Sequence, residues 1–314
     1  MIGFFIVGHP KCGTTFIYNV LSHHPNIFLP NYKEPKYFST DLHFESDSYH
    51  GRRAFYPIRT EKEYLKLYEK ANSSIMGDVS PIYLFSHNAA KNIYTYNLNA
   101  KIIILLREPV SFLRSLHNQQ VFNLAEDEQD FIKALSMEET RKRGDNIPKY
   151  VQAPRYLYYS EWVDYRSQIQ RYSNLFDINN IKIYLFEDLI ANEKEFIQDL
   201  FSFIGVTEPG FSFPEDVFMN PSKEIRFKMI HKISKMAYIN FLINRILPKT
   251  MFGHISNMKN KLFSKKAQKV NLSPDQIHQI QKKFVTNVIE TEAFVKEIGL
   301  GSYDLVNKWG YGDL

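Results

Sequence analysis

Residues 2–22 constrain the fold more than any other stretch of the chain. Ile2-Gly3-Phe4-Phe5-Ile6-Val7 is a short apolar run ended by a glycine, the pattern of a strand buried on both faces of a parallel sheet. Gly8-His9-Pro10-Lys11-Cys12-Gly13-Thr14-Thr15 follows, and then Thr14 to Ser22 carries Phe16, Ile17, Val20 and Leu21 on one helical face. A strand, a glycine-bearing turn and a helix opening on Thr-Thr make an anion site: backbone N–H groups point at the ligand, and the helix dipole favours negative charge. The nucleoside-triphosphatase version of such a loop is G-x-x-x-x-G-K-[ST]. Here Gly8 and Gly13 keep the spacing, Thr14 stands where that lysine belongs, and lysine occurs at position 11, inside the loop. From there its ammonium reaches one bridging or terminal oxygen of a bound phosphate. An ordinary βα turn with incidental glycines is the plainer reading of the same residues.

The rest of the chain alternates strands and helices. Ile27–Leu29, Lys101–Leu106 and Ile181–Phe186 are strand-like, while Ser111–Phe122, Ser160–Leu175, Glu193–Ile204 and Pro274–Ile298 are helical in period. The last opens on Ser273-Pro274-Asp275, an N-cap followed by proline at the first helical position. Alternation of this kind predicts an α/β, P-loop-like three-layer fold, a central parallel sheet flanked by helices, with a helical C-terminal extension. No internal repeat or low-complexity linker divides the chain. The expected boundaries are a main domain over 1–230 and an extension over 231–314 packed on it.

A second anion-binding feature leaves the Lys101–Leu106 strand: Arg107-Glu108-Pro109, then Ser115 eight positions after the arginine in a helix. Arginine suits a bidentate grip on phosphate oxygens, although R-x-P alone is usually a strand end. With the first loop, it resembles the two nucleotide-binding motifs of the sulfotransferases that use 3′-phosphoadenosine 5′-phosphosulfate (PAPS). Lys11-Cys12-Gly13-Thr14-Thr15 is similar to that family's K-x-G-T-T loop, and Arg107 with Ser115 to its R-x-P-…-S element. The resemblance implies that Pro10, Lys11, Cys12, Gly13, Thr14 and Thr15 hold the 5′-phosphosulfate and that Arg107 and Ser115 hold the 3′-phosphate. Ser222, Lys223 and Arg226, in Asn220–Arg226, resemble the late basic loop that folds over the nucleotide. Lys33-Glu34-Pro35-Lys36-Tyr37-Phe38 and Gly77-Asp78-Val79-Ser80-Pro81-Ile82-Tyr83 look like stretches of the glycan branch, the heparan sulfate N- and 3-O-sulfotransferases. Phe186-Glu187-Asp188-Leu189 followed by Leu200–Val206 looks like the E-D-L…F-L-G-V run of the superfamily. The likeness covers roughly residues 3–230; the last 80 or so resemble nothing recognisable. It departs from the family at Phe112, where a second arginine is common, at Val79, where some 3-O-sulfotransferases carry lysine, and at His117, often aromatic.

By that resemblance the expected reaction is in-line sulfuryl transfer from PAPS, leaving adenosine 3′,5′-bisphosphate, to a hydroxyl or amine of a carbohydrate or glycolipid. Such a transfer relies on positioning and charge stabilisation. Glu34 is the expected base. Lys11 is expected to stabilise the leaving phosphate, and the scheme calls for no metal. Cys12 has no sequence-placed base to make it a nucleophile. Candidate acceptor contacts are Lys36, Tyr49, Arg52, Arg53, Tyr83, His87 and His117. Aromatic faces suit sugar rings, and arginines suit carboxylates or sulfates.

Charge sharpens the partner question. The chain of 314 residues carries a net +5, yet residues 221–270 hold 12 Lys or Arg against Glu224 alone, a local +11, so the remainder sums to −6. Ile225, Met229, Ile233, Met236, Ile239, Ile243 and Ile246 recur there at near-helical spacing. Such a stretch faces an anionic polymer, a membrane surface or a partner helix, or packs on the core with a solvated basic face. With Cys12 as the single cysteine, no internal disulfide forms, and no apolar run approaches the 18 residues of a membrane helix. A cytoplasmic protein, in peripheral contact with a membrane or anionic polymer if residues 221–270 act that way, and without nucleic acid, is expected. Two rivals remain: a P-loop-type nucleotide kinase or NTPase, which needs the lysine missing before Thr15, and a non-catalytic polyanion-binding protein.

Overall fold

The structure, a computed structural model, describes residues 1–72, 74–206, 223–225, 264–266 and 272–314. Five parallel strands form one sheet in the order β2-β3-β1-β4-β5: β1 (Phe4–Gly8), β2 (Ile27–Phe28), β3 (Ile75–Val79), β4 (Lys101–Leu106) and β5 (Ile181–Leu185). β1 lies between β3 and β4, with Ile6 opposite Val79 on one side and Ile103 on the other. Every residue of β1 is buried, as are five of the six in β4. That two-sided burial explains continuous apolar runs in place of alternation. The fold class is α/β, with helices over a parallel sheet.

The helices up to residue 204 are α1 (Thr14–Ser22), α2 (Thr40–His50), α3 (Glu61–Lys66), α4 (Ala89–Tyr96), α5 (Pro109–Phe122), α6 (Phe131–Ser136), α7 (Glu138–Lys142), α8 (Tyr159–Trp162), α9 (Tyr165–Ser173), α10 (Phe186–Ala191) and α11 (Glu193–Ile204). A long helix, Pro274–Glu297, packs on α9, and a short one, Leu305–Lys308, follows it. Ser273 begins the long helix with a capping box, its side chain accepting from the Gln276 N–H.

Two compact units share the chain. The first comprises residues 1–113, 152–220 and 272–314 and contains the sheet; the second comprises 114–151 and 221–271. Within the second, Arg141 and Glu126 form a buried ion pair at 2.6 Å, and the Arg141 side chain also donates to the Ala134 carbonyl. Of its residues 221–271, the structure describes an antiparallel strand pair, β6 (Lys223–Ile225) with β7 (Ser264–Lys266). Ile225, expected on an amphipathic helical face, is therefore in a strand. Ser222, Arg226 and the other apolar positions of that face lie outside the described residues.

One local reading is corrected, and one strand was not among those expected. Ser160–Leu175 is not one helix: the chain breaks at Val163-Asp164, where the Asp164 carboxylate accepts from the Ser167 N–H and starts α9 afresh. β3 is an internal strand although its sequence, Ile-Met-Gly-Asp-Val, lacks an apolar run. Gly77 is required there by the Phe4 ring, and Asp78 is paid for by three hydroxyl donors.

The β1–α1 turn depends on two glycines. Gly8 sits at φ +147°, and a Cβ there would lie 2.6 Å from the Leu105 carbonyl oxygen and 2.7 Å from its nitrogen. Gly13 sits at φ +80°, and a Cβ would meet the Leu189 side chain at 2.5 Å. Because the obstacle at Gly8 is backbone of the neighbouring strand, it has nowhere to go. Gly8→Ala is expected to lower the unfolding free energy by about 2–3 kcal/mol in urea denaturation, a strain-class loss.

Candidate active site

The first loop and the β4 end converge. Arg107 follows β4, and its Nη1 donates to the Lys11 carbonyl at 3.0 Å while the guanidinium lies 4.4 Å from the centre of the Phe186 ring. Lys11 is itself in a left-handed conformation, φ 72°. Burial, and secondarily the Arg107 charge, push the Lys11 ammonium below its ordinary value. The loop ends at Gly13, which caps α1 without a side chain, and no acidic residue occupies the first turn of α1. The first N–H groups of that helix, including those of Thr14 and Thr15, have no intrahelical acceptor. Two cations and a bare helix N-terminus therefore meet at one place. That is a donor set for an anion carrying several oxygens.

Cys12 is buried against the loop, and burial raises its thiol well above the ordinary range, so it is held as the neutral thiol. His9 is fully buried, stacked on Phe112 at 4.7 Å and flanked by Tyr165 and Trp162. Burial pushes its pKa down to about 3, so it adds packing and no charge.

Glu34 reaches the loop through its neighbour. Lys33 Nζ donates to Thr15 Oγ1 at 2.6 Å, tying the turn after β2 to the first turn of α1. Lys33 and Lys36 bracket the Glu34 carboxylate at 4.0 and 3.6 Å. Glu34 and Lys36 both have φ 57°, a conformation that costs non-glycine residues roughly 1 kcal/mol or more each. Hydrogen bonds hold them there. The Lys36 N–H donates to Ser80 Oγ at 3.2 Å, and the Lys36 carbonyl accepts from Ser39 Oγ and from His43 Nε2, both at 2.7 Å. Burial lowers the His43 pKa to about 4, which keeps the ring neutral with its proton on Nε2 for that bond.

Ser80 is in turn fixed by Asp78. Its hydroxyl donates to Asp78 Oδ1 at 2.6 Å, and the Tyr64 and Tyr83 hydroxyls donate to Oδ2 at 2.8 and 2.9 Å. Asp78 is fully buried, and burial raises its pKa to about 6 against the opposing pull of those donors.

A cavity of about 700 Å³ opens beside Glu34, lined among others by Tyr32, Lys33, Lys36, Arg53, Phe55 and Tyr56. Of the acceptor candidates, Lys36 and Arg53 line this cavity. The remaining acceptor candidates do not line this cavity. Tyr83 is fully buried and spends its hydroxyl on Asp78, Tyr49 and Arg52 face solvent, and His87 sits beside Arg155, 3.4 Å from its Nη1. His117, in the second unit, is buried with Nε2 2.9 Å from the Glu128 carbonyl oxygen and its ring against Phe131. Ser115 lies half-buried on α5, also in the second unit, and Lys223 opens β6. Residues that sequence reasoning gave no role are Lys33, His43 and the terminal pair Trp309 and Tyr311, described below. Lys33 had a signal in its place beside Glu34; the others depend on contacts made across the fold.

A family model described as a sulfotransferase domain matches residues 2–292. The chain belongs to the sulfotransferase-domain family. It is similar to the membrane-associated sulfotransferase kil1 of Dictyostelium discoideum, 33% identical over 107 residues, which are 34% of this chain and 20% of that protein. It is also similar to carbohydrate sulfotransferase 15 of Homo sapiens, 27% identical over 148 residues, 36% of this chain and 26% of that protein. The matches thus span a fifth to about a quarter of these relatives' lengths. The fold matches the crystal structure of a sulfotransferase from Alicyclobacillus acidocaldarius, with TM-score 0.67, 24% identity, and 94% of this chain and 96% of that one covered.

The Asp78 shift has a testable sign. An unfolded carboxyl titrates near 3.8, the folded one at about 6, so between those values the folded state binds more protons. Stability from this group is therefore fullest below about pH 4 and falls as pH rises through about 6. Asp78→Asn should abolish that decline. Equilibrium denaturation of both proteins across this range checks it: the stability of the wild type relative to the variant drops as the pH is raised.

Proposed function

We propose that this chain transfers the sulfuryl group of PAPS to a hydroxyl or amine of a carbohydrate acceptor. The observation that carries the reading is the convergence of Lys11, Arg107 and the uncapped α1 N-terminus on one anion-binding corner, with Glu34 tied to it through Lys33 and Thr15. Bound there, PAPS supplies an activated sulfuryl group whose sulfur–oxygen bond to the 5′-phosphate breaks as the acceptor oxygen or nitrogen bonds to sulfur. The chain's own residues do the rest. Glu34 takes the acceptor proton, a role worth roughly 10²–10⁴-fold in rate. Lys11 and the Thr14 and Thr15 N–H groups offer positive charge to the oxygen that becomes negative, and Arg107 grips the second phosphate. Ser115, Ser222, Lys223 and Arg226 are the further nucleotide contacts that the family resemblance suggests.

Support for a carbohydrate comes from the cavity beside Glu34 and from the relative named as a carbohydrate sulfotransferase. The cavity sets Tyr32, Phe55 and Tyr56 among Lys33, Lys36 and Arg53, which suits sugar faces bearing carboxylates or sulfates. A glycolipid headgroup presents the same chemistry, and an acceptor screen separates it from a free glycan.

Calorimetric titration with adenosine 3′,5′-bisphosphate, without metal, tests the nucleotide site. Wild type should bind, and Arg107→Ala and Lys11→Ala should weaken binding by about tenfold or more, the worth of a charge-assisted contact. Glu34→Gln should bind the nucleotide as wild type does and lose roughly 10²-fold or more in turnover. Binding that requires magnesium, or that ignores Arg107→Ala, would return the chain to the kinase-type reading.

A further inference from the structure

The last residues of the chain end on the carboxylates that shape the Arg107 corner. Tyr311 is buried, and its hydroxyl donates to Glu108 Oε1 at 2.9 Å. The same carboxylate caps α5, accepting from the Val110 and Ser111 N–H groups at 2.8 and 2.6 Å. The Glu108 N–H donates to Glu187 Oε1 at 3.1 Å, and Glu187 Oε2 accepts from the indole N–H of Trp309, also at 3.1 Å. Trp309 and Tyr311 thus close a ring through two carboxylates, one beside Arg107 in the chain and the other beside Phe186, the ring under the Arg107 guanidinium. The Arg107 carbonyl accepts from Tyr165 at 2.8 Å, and the Tyr165 ring meets Trp309 edge-on at 6.0 Å. Lys308 pairs with Asp188, fixing the tail to the start of α10.

Two carboxylates this close to an anion site are a hazard. Each repels a bound phosphate, and each is a competing partner for the arginine meant to hold it. Donors from Trp309 and Tyr311 satisfy them in place. We propose that Trp309 and Tyr311 are positioning residues for the anion site: they hold Glu187 and Glu108 away from the Arg107 guanidinium, leaving it on the Lys11 carbonyl and open to a phosphate. The identity of that phosphate rests on the sulfotransferase reading; the geometry of the brace does not.

Trp309→Phe and Tyr311→Phe each remove the polar contact and keep a ring. Expected for each are adenosine 3′,5′-bisphosphate affinity about tenfold weaker, the worth of one hydrogen bond to a charged group, and a KM for PAPS that rises more than kcat falls. The unfolding midpoint should move little. A second readout needs no ligand. Cys12, the single cysteine, is buried next to Lys11, so its labelling by a thiol reagent reports loosening of the loop. Labelling should accelerate in both variants, as in Arg107→Ala. Wild-type labelling rates in both variants, with Arg107→Ala accelerated, overturn the proposal. So does wild-type nucleotide affinity in both when Arg107→Ala loses it. If the wild type binds no nucleotide, the sulfotransferase reading fails alone and the labelling rates still decide the brace. If Trp309→Phe does not fold, Tyr311→Phe, which lacks a single oxygen, carries the test.

Discussion

The hydrogen bond from the Arg107 guanidinium to the Lys11 carbonyl joins two loops that neighbouring parallel strands deliver to the same edge of the sheet. It brings two cations together in partly buried surroundings. The cost shows in Lys11, whose ammonium is pushed below its ordinary value by burial first and by Arg107 second. An anion bound between them would relieve that repulsion. The strand order makes the meeting unavoidable: β1 is central, β4 carries Arg107 on one side, and β3 and β2 carry Ser80 and the Glu34 turn on the other. Ligands of open parallel sheets gather at the carboxyl ends of strands around such a central position.

On the Glu34 side the constraint is conformational. Two non-glycine residues in left-handed geometry, Glu34 and Lys36, are maintained by a chain of hydrogen bonds running from Lys36 through Ser80 to Asp78. A buried carboxylate is an expensive anchor unless it is saturated with donors, and Asp78 takes three hydroxyls. Tyr83 is one of them, which removes it from the acceptor surface where its motif had suggested it.

What was legible in the sequence was what is local. An anion-binding turn imposes glycines, an apolar strand before it and a helix after it within 20 or so residues, and Arg107 leaves the most apolar run in the chain. The expected bounds of α1, β4 and α11 agree with the structure. β3 was missed because Gly77 and Asp78 answer to partners far away in the chain, the Phe4 ring and the Tyr64 and Tyr83 hydroxyls, and break the apolar pattern. The break between α8 and α9 turns on one side chain, Asp164, competing for the backbone. Trp309 and Tyr311 were silent for the same reason: their meaning is in Glu187 and Glu108, more than a hundred residues earlier.

The carboxylates around the corner separate into two kinds, and the division bears on the base proposed above. Asp78 is saturated by hydroxyls, Glu108 by two backbone N–H groups and Tyr311, Glu187 by a backbone N–H and Trp309, and Asp188 pairs with Lys308. A group whose lone pairs are committed to fixed donors is a poor proton acceptor for an incoming hydroxyl. Glu34 differs from these four. Its side chain is 32% exposed, it lines the neighbouring cavity, and its lysine partners stand at 3.6 and 4.0 Å, ion-pair separations that hold it loosely. Its oxygens remain available, and the strained backbone beneath keeps them at the cavity wall. The fold thus engages these four carboxylates in hydrogen bonds or an ion pair with fixed partners and leaves Glu34 at the cavity wall, as the base proposed above requires.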